Sequence, residues 1–128
     1  MNKETKKIVG ALIYNYLLEK SRIPNPAKSE RNYHIFYHLL RGGDEQTLAN
    51  LELKNKKVAN FKYLSVSGCE EVKTVDDAAL FIEVSESFKT MHFMKEDVDA
   101  IWRIVTGVMM LGNVDFDDAK KDDSKMYF

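Results

Sequence analysis

Apolar residues gather into blocks along the chain, and the spacing within each block predicts its structure. The clearest block runs from about Lys95 to Leu111, where Val98, Ile101, Trp102, Val105, Val108 and Met109 recur at three- and four-residue intervals along one helix face. Glu96, Asp97 and Asp99 stand in its first turns, where negative charge favours the helix dipole, and Gly112-Asn113 supplies its stop. A second helix is predicted from Asp76 or Asp77, either of which can cap it, with Leu80, Phe81, Val84, Phe88 and Met91 turned inward and Glu83, Glu86 and Lys89 outward. A third is predicted from Ser29 as cap, with Glu30 in its first turn, Tyr33, Phe36, Tyr37 and Leu40 as its stripe, and Gly42-Gly43 at its end. Asp44 then caps a short helix carrying Leu48 and Leu51, joined so tightly to the one before it that the two are expected to pack side by side. Phe61 to Leu64 reads as an extended piece leading into a turn at Ser65 to Gly68.

The blocks at the two ends behave differently. Ile8 to Leu18 is apolar on both faces, so neither the 3.6 nor the 2.0 period wins. Its β-branched and aromatic residues and internal Gly10 favour a buried strand, while its length also suits a helix. Pro24 and Pro26 stop either element, because each lacks a backbone donor and restricts the residue before it. At the other end, Asp117-Asp118-Ala119-Lys120-Lys121-Asp122-Asp123-Ser124-Lys125 has no apolar face to bury and reads as a mobile charged loop or tail.

Composition narrows the choice of partners. With 128 residues, 45% hydrophobic, the chain has room for about one domain and one core. Nineteen basic against twenty acidic residues leave a net charge of -1, without the basic excess of nucleic-acid or anionic-membrane binders. The apolar run from Ala11 to Leu18 is too short to span a bilayer. One cysteine, Cys69, cannot form an internal disulfide, which suits a reducing compartment such as the cytosol.

Catalytic chemistry is sparse. None of the six glycines falls in a phosphate-cradling or dinucleotide-binding pattern. His34 and His38, four apart, share a helix face, but two ligands alone do not make a zinc site and the pair reads as structural. Cys69 precedes Glu70-Glu71, which raise rather than lower a thiol pKa and disfavour a nucleophile. The pairs Asp76-Asp77 and Asp122-Asp123 and the group Glu96-Asp97-Asp99 are explained by capping or solvation. No catalytic, cofactor-binding or metal-binding residue is assigned.

Several consecutive strings say more than any single motif. Tyr16-Leu17-Leu18-Glu19-Lys20-Ser21-Arg22, then Glu30-Arg31-Asn32-Tyr33-His34-Ile35-Phe36-Tyr37, resemble the myosin motor domain. Phe61-Lys62-Tyr63-Leu64, Ser67-Gly68-Cys69, Val75-Asp76-Asp77 and Gly107 to Leu111-Gly112-Asn113 follow in that family's order, so the likeness covers roughly residues 8 to 116. Met94, His92 and Met110 depart from residues common in the family and leave the myosin class open.

The resemblance implies a mostly α fold, an internal fragment of the upper fifty-kilodalton subdomain beside the actin-binding cleft. Residues 8–18 would be one strand of the central transducer sheet, although a helix is possible in isolation; 29–116 would be the helical upper-cleft region and 117–128 the charged tail. It implies that the intact protein is an actin-based motor driven by Mg-ATP, cytoplasmic and tied to the cytoskeleton, with actin and the rest of the head as partners. The phosphate loop and both switches are not matched here, so the chain by itself is expected to have no ATPase activity. Tyr16 and Leu17 match positions at the cleft apex, where small molecules lodge in some family members. Lys120, Lys121 and Lys125 would open a loop that can touch actin, although the interleaved aspartates oppose that contact. The junction from Glu19 to Arg22 is the expected relay between nucleotide state and actin affinity. The rival expectation is a non-enzymatic interaction module or truncated motor relic.

Overall fold

A computed structural model of the chain describes residues 10, 12, 14, 16, 17 and 19–115. Among these residues all regular structure is helical: α1 (His34–Gly42), α2 (Glu45–Asn50), α3 (Lys62–Ser65), α4 (Asp77–Thr90) and α5 (Lys95–Leu111), with 3₁₀ turns at Lys20–Arg22 and Val58–Asn60. The mostly α fold expected from the sequence is therefore the observed one. The strand expected over residues 8–18 falls largely outside the described residues. Gly10, Leu12, Tyr14, Tyr16 and Leu17, which are described, belong to neither helix nor strand. The charged tail at 117–128 lies outside the described residues.

Helix α5 and the caps of α2 and α4 follow the pattern. Asp44 accepts the Thr47 amide at 2.8 Å, and Asp76 accepts the Ala79 amide at 3.0 Å, each meeting an N–H that the first turn leaves unpaired. At the start of α5, Met94 offers no side-chain cap, and Glu96 and Asp97 are left to complement the dipole.

Helix α1 starts at His34, four residues later than it would with Ser29 as its cap. Ser29 instead adopts a left-handed φ of 65°. Residues between it and α1 carry Arg31 and Asn32 into the interior. Asn32 is fully buried: its Oδ1 accepts the Tyr33 amide at 2.7 Å, its Nδ2 donates to the Tyr63 carbonyl at 3.0 Å, and its own amide donates to the Tyr37 hydroxyl at 3.0 Å. An asparagine that bonds neighbouring backbone offers an alternative to helix, which explains the late start.

Two further expectations are corrected. Phe61 to Leu64 does not stay extended, because Lys62–Ser65 closes one helical turn, α3. The principal partner of α1 is α4, from far along the chain, rather than α2. The last residue of α1 and the cap after it show why. A Cβ on Gly42 would lie 2.4 Å from the Phe81 Cβ, and one on Gly43 would lie 2.7 Å from the Leu39 carbonyl. These glycines let the end of α1 touch α4 and turn tightly into α2.

The core joins Tyr37, Leu39 and Leu40 of α1 to Leu53, Leu64, Phe81, Trp102 and Met109. Trp102 packs on Phe81, ring centroids 5.3 Å apart, and edge-on to Phe88 at 6.0 Å, both favourable aromatic geometries. Thr106 is buried one turn beyond Trp102, while Val108 is 41% exposed. The helical period places Thr106 on the core face, and its polar name hid it in the pattern. On α4, Phe81 is buried, while Met91, the cap just past its end, is exposed, so the stripe reaches the surface there.

Glycine substitutions separate close packing from helix propensity. Gly42→Ala is expected to destabilise the chain by about 1–3 kcal/mol through overpacking against Phe81. Gly107→Ala, with nothing within 4 Å of its added Cβ on α5, is expected to stabilise by about 0.5–1 kcal/mol. Denaturant unfolding of the two variants checks both signs.

Candidate functional site

The most ordered polar cluster lies where α1 meets the first turn of α4. Asp77, the first residue of α4, is buried, and Arg31 Nη2 donates to both its oxygens at 2.8 and 3.0 Å. Arg41 Nη1 donates to Oδ2 at 2.8 Å, and Arg41 Nη2 reaches the Glu70 carbonyl at 3.0 Å. The Arg31 and Asp77 side chains are 1% and 2% exposed, so the pair is withdrawn from water. Arg31 also lies over the Tyr37 ring, 3.8 Å from its centroid, a cation–π contact. Two guanidiniums and the positive end of the α4 dipole converge on one carboxylate, the arrangement that a buried charge requires.

His38 completes the cluster. His38 and Arg41 are three apart and therefore share the α1 face turned toward Asp77. His38 Nε2 stands 3.5 Å from Asp77 Oδ1, and neither ring nitrogen makes a hydrogen bond. Burial pushes its imidazole below the ordinary histidine value, the Asp77 charge pulls the other way, and His34 and Arg31 reinforce the depression. His34 itself is exposed, its ring edge-on to His38 at 6.0 Å. Among the described residues no group of three or more side chains could hold a metal ion.

A second polar assembly precedes α1. Arg22 donates to Glu19 Oε1 at 2.9 Å, to Glu30 Oε2 at 3.2 Å and to the Arg31 carbonyl. The Arg22 hydrogen bond holds the Glu19 carboxyl below its usual range and raises the guanidinium in turn. The Tyr33 hydroxyl donates to the Glu19 carbonyl at 2.6 Å, and the Tyr63 hydroxyl to the Ile23 carbonyl at 2.8 Å. Contacts thus run without a break from Glu19 through Arg22 to the Arg31 backbone, and through the Arg31 side chain to Asp77 on α4.

The residues singled out from sequence are distributed around these assemblies. Tyr16 and Leu17 adjoin the Glu19 junction in sequence and are 85% and 82% exposed, Leu17 with a left-handed φ of 52°. Lys120, Lys121 and Lys125 lie outside the described residues. Cys69 is a free thiol 3.8 Å from the Glu71 carbonyl. Asp76 caps, as expected, but Asp77 does not: it is the buried anion of the cluster, a role that local pattern could not separate from capping. Among the described residues no helix is long and apolar enough to cross a membrane.

Comparison with known proteins agrees with the order of motifs. The family described as myosin head (motor domain) matches residues 1–127. The chain is similar to the myosin ID heavy chain of Dictyostelium discoideum, 40% identical over 115 residues, covering 90% of this chain and 10% of that protein. It is similar to unconventional myosin-Ic-A of Xenopus laevis, 42% identical over 108 residues, covering 84% and 10%. Unconventional myosin-Ib of Mus musculus is 39% identical over 108 residues, covering 84% and 10%. The chain thus spans about 10% of the length of these relatives.

Two outcomes test the cluster. Asp77→Asn leaves two buried or half-buried guanidiniums without their anion and is expected to cost about 3–5 kcal/mol of stability. Because the fold favours neutral His38, the native state binds fewer protons than the unfolded chain between the depressed native value and the ordinary value of 6.5. Stability should therefore be complete above pH 6.5 and decline as pH falls below it. His38→Gln should flatten that stretch of a stability-against-pH curve measured by denaturant unfolding.

Proposed function

The chain belongs to the myosin head (motor domain) family and is part of a myosin motor; from that premise we propose that it forms one jaw of the cleft with which the intact motor grips actin. This jaw corresponds to the upper fifty-kilodalton subdomain. Its work is mechanical, relaying the state of a nucleotide site elsewhere in the head to the surface that meets the filament.

One observation carries this reading: the continuous path of contacts from Glu19 through Arg22 and Arg31 to Asp77. Relay needs an element with two arrangements that both sites can bias. Glu19 to Ile23 is suited to it, since exposed ion pairs and single hydrogen bonds hold this segment to a helical block that is itself pinned by buried charge. The exposed apolar residues support the reading. Ile82, Ile104 and Leu111 are 60%, 68% and 70% exposed, as expected of helices that pack against further parts of a head.

In the intact motor, Mg-ATP supplies the driving reaction, and this segment contributes no phosphate-cradling motif to it. Tyr16 and Leu17 line the cleft apex in this account, and Lys120, Lys121 and Lys125 are the residues offered to the acidic filament. The motor works in the cytoplasm, on the actin cytoskeleton.

An intact head carrying Arg22→Gln together with Tyr33→Phe tests the relay. ATP should weaken its actin binding about tenfold less than in the parent head, a coupling loss within the usual 1–3 kcal/mol range, with the fold intact by circular dichroism. Tyr16→Ala should alter the same coupling. Undiminished coupling in a folded double variant would overturn the proposal. The 128-residue chain alone should release no phosphate from ATP with or without actin.

A further inference from the structure

A cavity of about 480 Å³ opens between α2 and the first turns of α5, away from the Asp77 cluster and the Glu19 junction. Its volume lies within the usual range for small-molecule sites. Leu51 and Trp102 give it an apolar side, and Gln46, Asn50, Asp99 and Arg103 give it a polar one.

The hydrogen-bonding groups around it are unevenly satisfied. Lys95 and Asp99 neutralise each other at 2.5 Å, and Gln46 Nε2 donates to Asn50 Oδ1 at 2.8 Å. Those pairings leave the Asn50 amide N–H groups and the Gln46 carbonyl available. Arg103 is exposed and makes no ion pair or side-chain hydrogen bond among the described residues, so the charged lining has one uncompensated positive group. Trp102 is 4% exposed, but its indole nitrogen is not among the buried polar atoms left without a partner, so the N–H, which donates to no acceptor among the described residues, remains open to solvent.

We propose that this cavity is a binding site for a small planar organic carboxylate, with its ring against Leu51 and Trp102 and its anionic oxygens taken by Arg103, assisted by the indole and Asn50 N–H donors. Donors outnumber free acceptors here, which selects an anion over a cation. The apolar side selects a ring-bearing acid over inorganic phosphate, which has no apolar surface. Asp99 does not repel the ligand, because Lys95 already holds it.

Trp102 is the chain's one tryptophan, so its indole N–H resonance reports this site without interference. The test is a titration of the full chain with 2-naphthoate, followed by that resonance in two-dimensional NMR, beside a titration with the neutral 2-naphthalenemethanol. A saturable shift with naphthoate, weakened about tenfold or more with the alcohol and in the exposed-site variant Arg103→Gln, is expected for a charge-assisted contact. Arg103→Lys should retain part of the affinity. Equal response to the alcohol, undiminished binding by Arg103→Gln, or no saturable shift by about 10 mM ligand would overturn the proposal.

Discussion

Taking the Asp77 carboxylate out of water carries a penalty of several kcal/mol unless other charges and dipoles replace the water. The fold replaces it with guanidiniums from both ends of α1, Arg31 just before the helix and Arg41 in its last turn, and with the positive end of α4. That requirement fixes how α1 and α4 meet. Once Arg31 must reach Asp77, residues 30–33 cannot join the helix, Asn32 is carried inward to bond Tyr63 and Tyr37, and α3 is drawn against the same corner. At the other end, Gly42 brings α1 close enough to α4 for Arg41 to reach the same carboxylate. The apolar core then closes around a geometry that the charges have already restricted.

Such a cluster is better understood as a device of specificity than as a large source of stability. A buried ion pair often contributes no more than well-packed apolar residues of the same volume, whereas breaking it leaves a charge stranded. It therefore penalises alternative packings of α1 on α4 more than it deepens the native one. For a segment of a motor this is a useful distribution. The helical block resists distortion, while the Glu19 to Ile23 junction, held by partly exposed contacts, is free to answer to the rest of the head.

Helix existence was largely legible in the amino-acid pattern, because α4 and α5 repeat their apolar residues at helical spacing and Asp44 and Asp76 carry unmistakable capping chemistry. The start of α1 was not, since Ser29 and Glu30 look locally like a cap and first turn, and only contacts with Tyr63 and Asp77, 31 and 46 residues away from Asn32 and Arg31, reveal why the chain stays out of the helix there. Asp77 was hidden for the same reason: beside Asp76 it looks like a second capping choice, and its arginine partners come from another helix. His38 shares a face with His34 in the amino-acid pattern, but its nearness to Asp77 is a tertiary fact. The family was legible because it is carried by ordered strings such as Glu30-Arg31-Asn32-Tyr33 rather than by any catalytic motif. Arg31, one residue in that string, proves to be the link between the junction and the buried carboxylate.

The central claim is that α1 and α4 form one cooperative unit held through Asp77. Native-state hydrogen exchange on the full chain tests it most directly, by comparing opening free energies for the amides of Phe36 to Leu40 in α1 with those of Leu80 to Phe88 in α4. The account predicts that the two sets open with the same free energy and respond together to added denaturant. Opening of α4 at a free energy lower by more than about 1 kcal/mol, with α1 still protected, would contradict it.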